Sequence, residues 1–440
     1  MSSACAVGAV SRPWRRALAW LLLLGPFFFL SYGLANGYAA QHANVPSIAF
    51  GWEASLPFWA WTILPYWSLD VLYAISLFAC RSRRELDMHA KRLLTAQVVA
   101  VTCFMALPLR FSFDRPMAEG PWGALFAALG AFDRPFNQLP SLHIALAIIV
   151  WSAYARVVSG VPRAVMACWL LLIGGSVLTT YQHHFIDVPT GAMLGALCVW
   201  LWPFDEPSIV SQWRWTHDHA RWRLACMYAS GAVLVGGLAI TASGWALWLL
   251  WPGVSLALIA LAYAAIGPGA FQKTRDGRLS TAARWLLAPY LAGAWINSRA
   301  WTWRDRRAAT IAEGVHLGPL PGKLELASTP YATLIDLTGE LSSAHSPCAL
   351  TVVPMLDLVQ PSREALARAA EAIERARGNG PVLVCCALGR SRGACAVAAW
   401  LLITGRAADP ATALQRVRVA CASVVVDHRH VAALAALHAA

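Results

Sequence analysis

Charge is scarce in this chain. Only 13% of its 440 residues are Asp, Glu, Lys or Arg, roughly half the ~25% of ordinary soluble domains. With 58% of residues hydrophobic, that scarcity excludes a wholly aqueous fold and marks most of the chain as built for lipid. Metal-like cysteine spacing is missing too. The 11 cysteines form no paired C-x2-C set and no Cys/His cluster, so no structural zinc, and no cofactor of any kind, is expected. Cys80, Cys103, Cys168 and Cys198 lie inside apolar runs, where a thiol behaves as a small hydrophobe. No internal repeat and no low-complexity stretch is present. No small-residue cleavage site follows Arg12-Pro-Trp-Arg15-Arg16 and its apolar run, which therefore reads as an uncleaved signal-anchor.

Apolar runs of spanning length, about 17–25 residues, fall near 17–37, 57–80, 93–110, 139–157, 164–181, 187–203, 224–243 and 245–266. Basic residues mark alternate connections. One side carries Arg12, Arg15 and Arg16, then Arg81, Arg83, Arg84, Lys91 and Arg92, then Arg156 and Arg163, then Arg214, Arg221 and Arg223, and finally Lys273, Arg275 and Arg278. The other side has no Lys or Arg from 38 to 56, and only the 110–138 loop, with Arg110, Arg115 and Arg134, breaks the trend. The positive-inside rule then places the N-terminus and everything after 267 in the cytoplasm of a multi-pass inner-membrane protein. The net charge of +12 reflects these loops and predicts no nucleic-acid partner. Residues 281–298 are apolar but short and contain Pro289, which predicts an interfacial helix rather than a ninth crossing. Nothing in the sequence sets an oligomeric state.

From 308 the composition becomes that of a soluble α/β domain. Ser362 caps an amphipathic helix predicted over 363–377. Gly378-Asn379-Gly380 ends it and leads into an apolar strand. That strand delivers Cys386-Ala-Leu-Gly389-Arg390-Ser391-Arg392 to the start of an apolar helix. Strand, turn and helix place backbone N–H groups around an oxyanion at a helix N-terminus, where the dipole and Arg392 both favour negative charge. The same field activates the Cys386 thiol as a nucleophile. A thiolate needs a reducing compartment, in agreement with the cytoplasmic placement.

This segment resembles the dual-specificity branch of the cysteine-dependent protein tyrosine phosphatases, whose loop reads H-C-x2-G-x2-R-S/T. The resemblance implies Cys386 as nucleophile, Arg392 as a bidentate phosphoryl clamp, and Gly389, Arg390 and Ser391 as the phosphate-binding loop. Cys385 stands in place of the preceding histidine and Gly393 in place of the following hydroxyl residue. The family protonates its leaving group from an upstream aspartate. Asp357, between a strand and the 363–377 helix, fits that role, with Asp336 as the competitor.

Two further groups open spans on the outer side: Gln138-Leu-Pro140-Ser141-Leu142-His143, and Tyr181-Gln182-His183-His184-Phe185-Ile186-Asp187. Ionisable residues at that depth signal function. His183 and Asp187, one helical turn apart, allow the carboxylate to orient the imidazole for covalent phosphoryl transfer, with His143 supplying a proton. The pattern looks like the type-2 phosphatidic acid phosphatase superfamily, motifs K-x6-R-P, P-S-G-H and S-R-x5-H-x3-D, and especially its inositol-phosphotransferase-like subgroup. Pro140, Ser141 and His143 match the second motif, Ser176, His183 and Asp187 the third, and Arg115-Pro116 the end of the first. Pro108 and Val177 occupy two basic positions of the family, and Arg110, Arg115 and Arg134 are the candidate replacements.

The fold expected is therefore a polytopic α-helical membrane domain of about eight spans with a six-helix phosphatase core, followed by a soluble α/β cysteine-phosphatase domain. The parts are a signal-anchor and outer loop (1–56), the phosphatidic-acid-phosphatase-like domain (57–203), two further spans with an interfacial helix and linker (204–307), and the cysteine domain (308–440). The function expected is a bifunctional membrane phosphatase acting on lipid phosphates or a phosphoprotein. The alternatives are a lipid headgroup phosphotransferase and a non-catalytic phosphate-binding receptor. Tryptophans 285, 295, 301 and 303, just before the soluble domain, would hold it against the membrane and favour a lipid over a protein.

Overall fold

The structure, a computed structural model, describes residues 12–304, 306–322, 324–325, 330–343 and 347–438. The chain forms two compact units. One comprises residues 1–211 and 239–248, the other residues 212–238 and 249–440.

The first unit is helical. Its helices are α1 (Trp14–Ala39), α2 (Ile63–Ala79), α3 (Arg83–Ala106), α4 (Gly120–Gly130), α5 (Leu142–Tyr154), α6 (Gly160–Thr179) and α7 (Asp187–Leu201). Helix α3 starts ten residues before the apolar run expected at 93–110. Ser82 caps it, its Oγ accepting from Glu85 N at 3.1 Å, and the charged turns that follow are good helix even though they are poor membrane. Helices α5 and α7 pack tightly because Gly191 and Gly195 let the backbones approach. A β-carbon on Gly191 would stand 2.4 Å from Ser141 O, and one on Gly195 2.9 Å from Ala145 O.

Among the described residues, five helices are long and apolar enough to cross a membrane: Trp14–Ala39, Ala60–Ala79, Gly160–Thr179, His219–Ala242 and Gly244–Phe271. That is fewer than the eight spans expected. The segments expected at 139–157 and 187–203 form the shorter α5 and α7, and α3 carries too much charge in its first half.

Helix α8 (His219–Ala242) belongs to the second unit except for its last four residues, and with α9 (Leu250–Leu261) it precedes a π-helical turn, Ala262–Ile266. The carbonyls of Ala262 and Tyr263 accept from Arg221, which satisfies groups that the widened turn releases. The 281–298 segment divides into α10 (Thr281–Leu286) and α11 (Ala288–Thr302). The break falls at Leu287, two residues before Pro289, where the ring disfavours a continuous helix.

The sheet that follows contains β1 (Ala309–Ala312), β2 (Val315–Pro319), β3 (Thr333–Thr338), β4 (Ala349–Met355) and β5 (Val382–Cys386), in the order β1-β2-β5-β3-β4. The β1–β2 pair is antiparallel and all other pairs are parallel. Every residue of β5 is buried, as a central parallel strand covered on both faces requires. Four helices cover the sheet: α12 (Arg363–Arg377), α13 (Arg392–Ile403), α14 (Pro410–Ala420) and α15 (His428–His438). Helix α12 begins at the predicted residue, with Ser362 Oγ accepting from Ala365 N at 3.2 Å. Its apolar stripe, including Leu366, Ala369 and Ile373, packs into one core with Trp400 of α13.

Candidate active sites

In the second unit, β5 ends at Cys386 and α13 begins at Arg392, so the five residues between them form a loop at a helix N-terminus. Gly389 sits at φ +71°, and a β-carbon there would stand 2.4 Å from Gly318 C. Only glycine fits so close an approach to the end of β2. The loop is thereby pinned against the sheet.

Arg392 is buried to 1% exposure. Its Nη1 and Nη2 donate to the two carboxylate oxygens of Glu340 at 2.9 and 2.6 Å, and Nη1 donates to Met355 O at 3.0 Å. Asp357 Oδ1 lies 3.2 Å from Nη2. The Nε of the same side chain is buried with no partner. An unsatisfied guanidinium N–H at the head of a cysteine loop is a costly feature unless an anion is to receive it.

Burial raises the Asp357 carboxyl above its ordinary range, helped by the negative Glu340 and opposed by Arg392. A half-buried acid whose pKa is raised suits the role of a leaving-group acid. Burial also works against ionisation of Glu340, but Arg392 outweighs it and keeps that carboxylate charged. Asp336 is spoken for: it meets Lys273 Nζ at 2.5 Å, with both side chains fully buried, and Oδ1 accepts from Thr338 N and Oγ1. The structure thus brings Asp357, not Asp336, to Arg392.

Glycine at 393 has a packing cause. A β-carbon there would meet Leu317 Cδ1 at 2.6 Å while standing 3.8 Å from Cys386 Sγ. A side chain at 393 would require Leu317 to move. Cys385 points the other way and donates weakly to Ile335 O at 3.5 Å, and burial pushes its pKa well up. Arg390 lies over the Trp301 ring at 5.6 Å. It borders a cleft of about 1100 Å³ whose lining includes Trp301, Trp303, Arg304, Arg307 and Gly389.

Sequence reasoning missed Glu340, and it missed a tyrosine group on the apolar helices. Tyr263 Oη donates to Asp357 O at 3.1 Å. Tyr263 stacks on Tyr228 at 5.6 Å, and Tyr290 meets Tyr228 edge-on at 5.8 Å. No local pattern announces these contacts, because their partners are far apart in sequence.

In the first unit, the tight α5–α7 packing joins the two histidine segments, with Ser141 N donating to Asp187 O at 3.1 Å. His183 Nδ1 meets Asp187 Oδ2 at 3.1 Å. This is not the helical turn expected from the spacing. Asp187 is the first residue of α7, and His183 precedes it in a turn that Tyr181, at φ 55°, makes possible. A carboxylate on Nδ1–H leaves Nε2 bare all the same.

His143 Nε2 donates to Tyr66 O at 2.9 Å, and its ring stacks on Tyr66 at 4.0 Å. His143 and His183 line one cavity of about 290 Å³ with Tyr32, Tyr66, Asp70 and Asp133. None of Arg110, Arg115 and Arg134 lines it; all three are exposed. Arg115 instead donates to Tyr181 O at 3.1 Å and lies over Phe126. Ser141 Oγ caps α5 through Ile144 N. Val177 is fully buried against Ile63 and Ile144, in an apolar cluster with no room for an arginine. The charged groups on the cavity wall are two carboxylates, and burial pushes Asp133 up to about 6. His184 is buried and held by Glu53 Oε2 at 2.9 Å.

The chain matches no protein-family model and no curated protein sequence. Solved structures similar to part of it are phosphatases. Tk-PTP in its active form is 24% identical, covering 30% of this chain and 96% of that one, with a TM-score of 0.28. Human DUSP28 is 23% identical over 30% and 95%, with a TM-score of 0.27. PTPMT1 is 17% identical over 30% and 94%, with a TM-score of 0.28.

Proposed function

We propose that the cysteine site hydrolyses phosphate monoesters and that its substrate is the phosphorylated headgroup of a membrane lipid. The observation that carries the first part is Arg392, buried between Glu340 and Asp357 with Nε unpartnered, at the head of the helix that follows Cys386. Cys386 attacks phosphorus, Arg392 and the loop N–H groups hold the equatorial oxygens, and Asp357 gives its proton to the departing alkoxide. The thiophosphate intermediate is then cleaved by water, with the Asp357 carboxylate taking the proton back.

Support for a lipid substrate lies in what surrounds the acid. Tyr263 follows directly on α9, within the apolar segment Gly244–Phe271 that is long enough to cross a membrane, and it holds the Asp357 backbone. The cleft along Arg390 combines tryptophans with arginines, the pairing suited to a membrane interface and an anionic headgroup.

Asp357→Ala tests the acid assignment. An alkyl phosphate, whose leaving group needs the proton, should lose roughly 10²–10⁴-fold in kcat, while an aryl phosphate with an acidic phenol loses far less. In the wild type, activity should fall on the alkaline side as Asp357 deprotonates, at a pH above the ordinary carboxylate value of ~3.9. That limb should vanish in Asp357→Asn. Equal losses on both substrates would return the role to Asp336 or to water.

In the helical unit, the pairing of His183 with Asp187 and the cavity shared with His143 support a second, histidine-dependent phosphoryl transfer from a lipid phosphate. His183 is the nucleophile, Asp187 its orienter and His143 the acid. By the charge pattern of the loops this site faces outward and the cysteine site faces the cytoplasm. His183→Ala should remove lipid phosphate hydrolysis at one site and leave Cys386-dependent hydrolysis of a soluble aryl phosphate within about threefold. Loss of both activities in folded protein would replace two sites with one.

A further inference from the structure

Ser391 is the N-cap residue of α13, yet its side chain caps nothing. A serine there ordinarily accepts from the N–H two or three residues on, a bond whose loss costs about 1 kcal/mol. Ser362, Ser82 and Ser280 do this in the same chain. Ser391 Oγ instead meets His430 Nε2 at 3.1 Å. His430 Nδ1 in turn meets Asp427 Oδ1 at 2.7 Å. Asp427 Oδ1 also accepts from the backbone N–H groups of Arg429 and His430, which fixes the carboxylate in place. Partial burial opposes the charge on Asp427, but these bonds prevail and bring it to about 2.

The connection to the loop is built in. Val425 N donates to Arg390 O at 3.0 Å, and α15 is anchored in the core by Leu434, fully buried. His430 itself keeps only 12% of its side chain exposed. A Ser–His–Asp chain of this kind suggests a nucleophilic serine, but Ser391 lies inside a loop that already carries Cys386. Its effect falls on the helix N-terminus.

We infer that His430 and Asp427 are positioning residues that hold the Ser391 hydroxyl away from the α13 N-terminus, so that the N–H groups there stay open for the phosphoryl oxygens of the substrate. The inference rests on the hydrolytic reading of Cys386 given above and adds a device to it. Without the dyad, Ser391 would rotate into its default cap and compete with the bound anion for the same donors. Asp427 is needed because a free imidazole would rotate, and the carboxylate fixes the ring with Nε2 toward Ser391.

The test is a double-mutant cycle in the full chain, with p-nitrophenyl phosphate as substrate and orthovanadate as competitive inhibitor. His430→Ala should raise the vanadate Ki and KM about 5-fold, the equilibrium equivalent of one serine cap, with a smaller change in kcat. Ser391→Ala, which keeps the loop N–H groups and removes only the hydroxyl, sets the reference Ki. Adding His430→Ala on that background should leave the Ki unchanged, because the competitor is gone. His430→Gln, which keeps an acceptor for the Ser391 hydroxyl, should behave as wild type and also guards against a folding defect in the alanine variant. A Ki that stays high in the His430→Ala/Ser391→Ala protein would overturn the inference, since His430 would then act through packing. No change in His430→Ala would overturn it equally. A wild type with no Cys386-dependent hydrolysis takes down the underlying reading and the inference together, whereas active wild type with an unresponsive cycle removes the inference alone.

Discussion

Cys386→Ser is expected to abolish hydrolysis of a soluble aryl phosphate by the cysteine site, a loss of at least about 10⁴-fold out of the ~10⁶-fold or greater acceleration that enzymes supply. The substitution is nearly isosteric, and Cys386 is almost fully buried at the end of a central strand, so fold and loop geometry should persist. What disappears is the sulfur nucleophile. A serine hydroxyl is far less acidic than a thiol, and Arg392 beside it is a donor only and cannot act as its base. Steady-state rates in a His183→Ala background isolate the site. Retention of a tenth or more of the activity would move the nucleophile elsewhere.

The second large effect concerns stability. Glu340→Ala leaves the Arg392 guanidinium buried, with the 3.2 Å contact to Asp357 and the Met355 carbonyl as its remaining partners. Removing one member of a buried ion pair costs about 3–5 kcal/mol, mostly because the survivor is stranded. Chemical denaturation of the purified protein in detergent should register a loss of that size, and phosphatase activity should fall with it as Arg392 loses its orientation. Glu340 is held in its charged form, so its contribution is present above the ordinary glutamate value of ~4.3. It is lost on acidification, as the pH falls through the depressed folded value. A loss below about 1 kcal/mol would show that Asp357 alone satisfies the arginine.

Local features of this protein were readable from its residues. Helix α12 could be bounded from Ser362 and the alanine–leucine stripe because a cap and a period are properties of neighbours in sequence. The strand, loop and helix around Cys386 were legible for the same reason. The pairings that define the site were not. Arg392 reaches Glu340 across 52 residues, Ser391 reaches His430 across 39, and Tyr263 reaches Asp357 across 94. Contacts at such separations are made by topology and leave no mark in a local pattern.

The histidine segment shows a subtler limit. The four-residue spacing of His183 and Asp187 pointed to the right contact through the wrong geometry, a turn standing in for a helix. The arginines of the 110–138 loop were assigned by charge and, for Arg115, by a motif, and neither says which way a side chain turns.

The strand order has a consequence for how the molecule is made. Strand β5, last of the five in sequence, lies at the centre of the sheet, paired with β2 on one side and β3 on the other. While the ribosome adds the residues between β2 and β5, at about 5–20 per second, the nascent chain waits on the order of 10 s. During that interval β2 and β3 each expose an unpaired edge of the kind that recruits other strands. The cysteine loop is thus completed after every other strand exists, and a chain stopped before residue 382 is left with two open edges instead of a smaller folded domain.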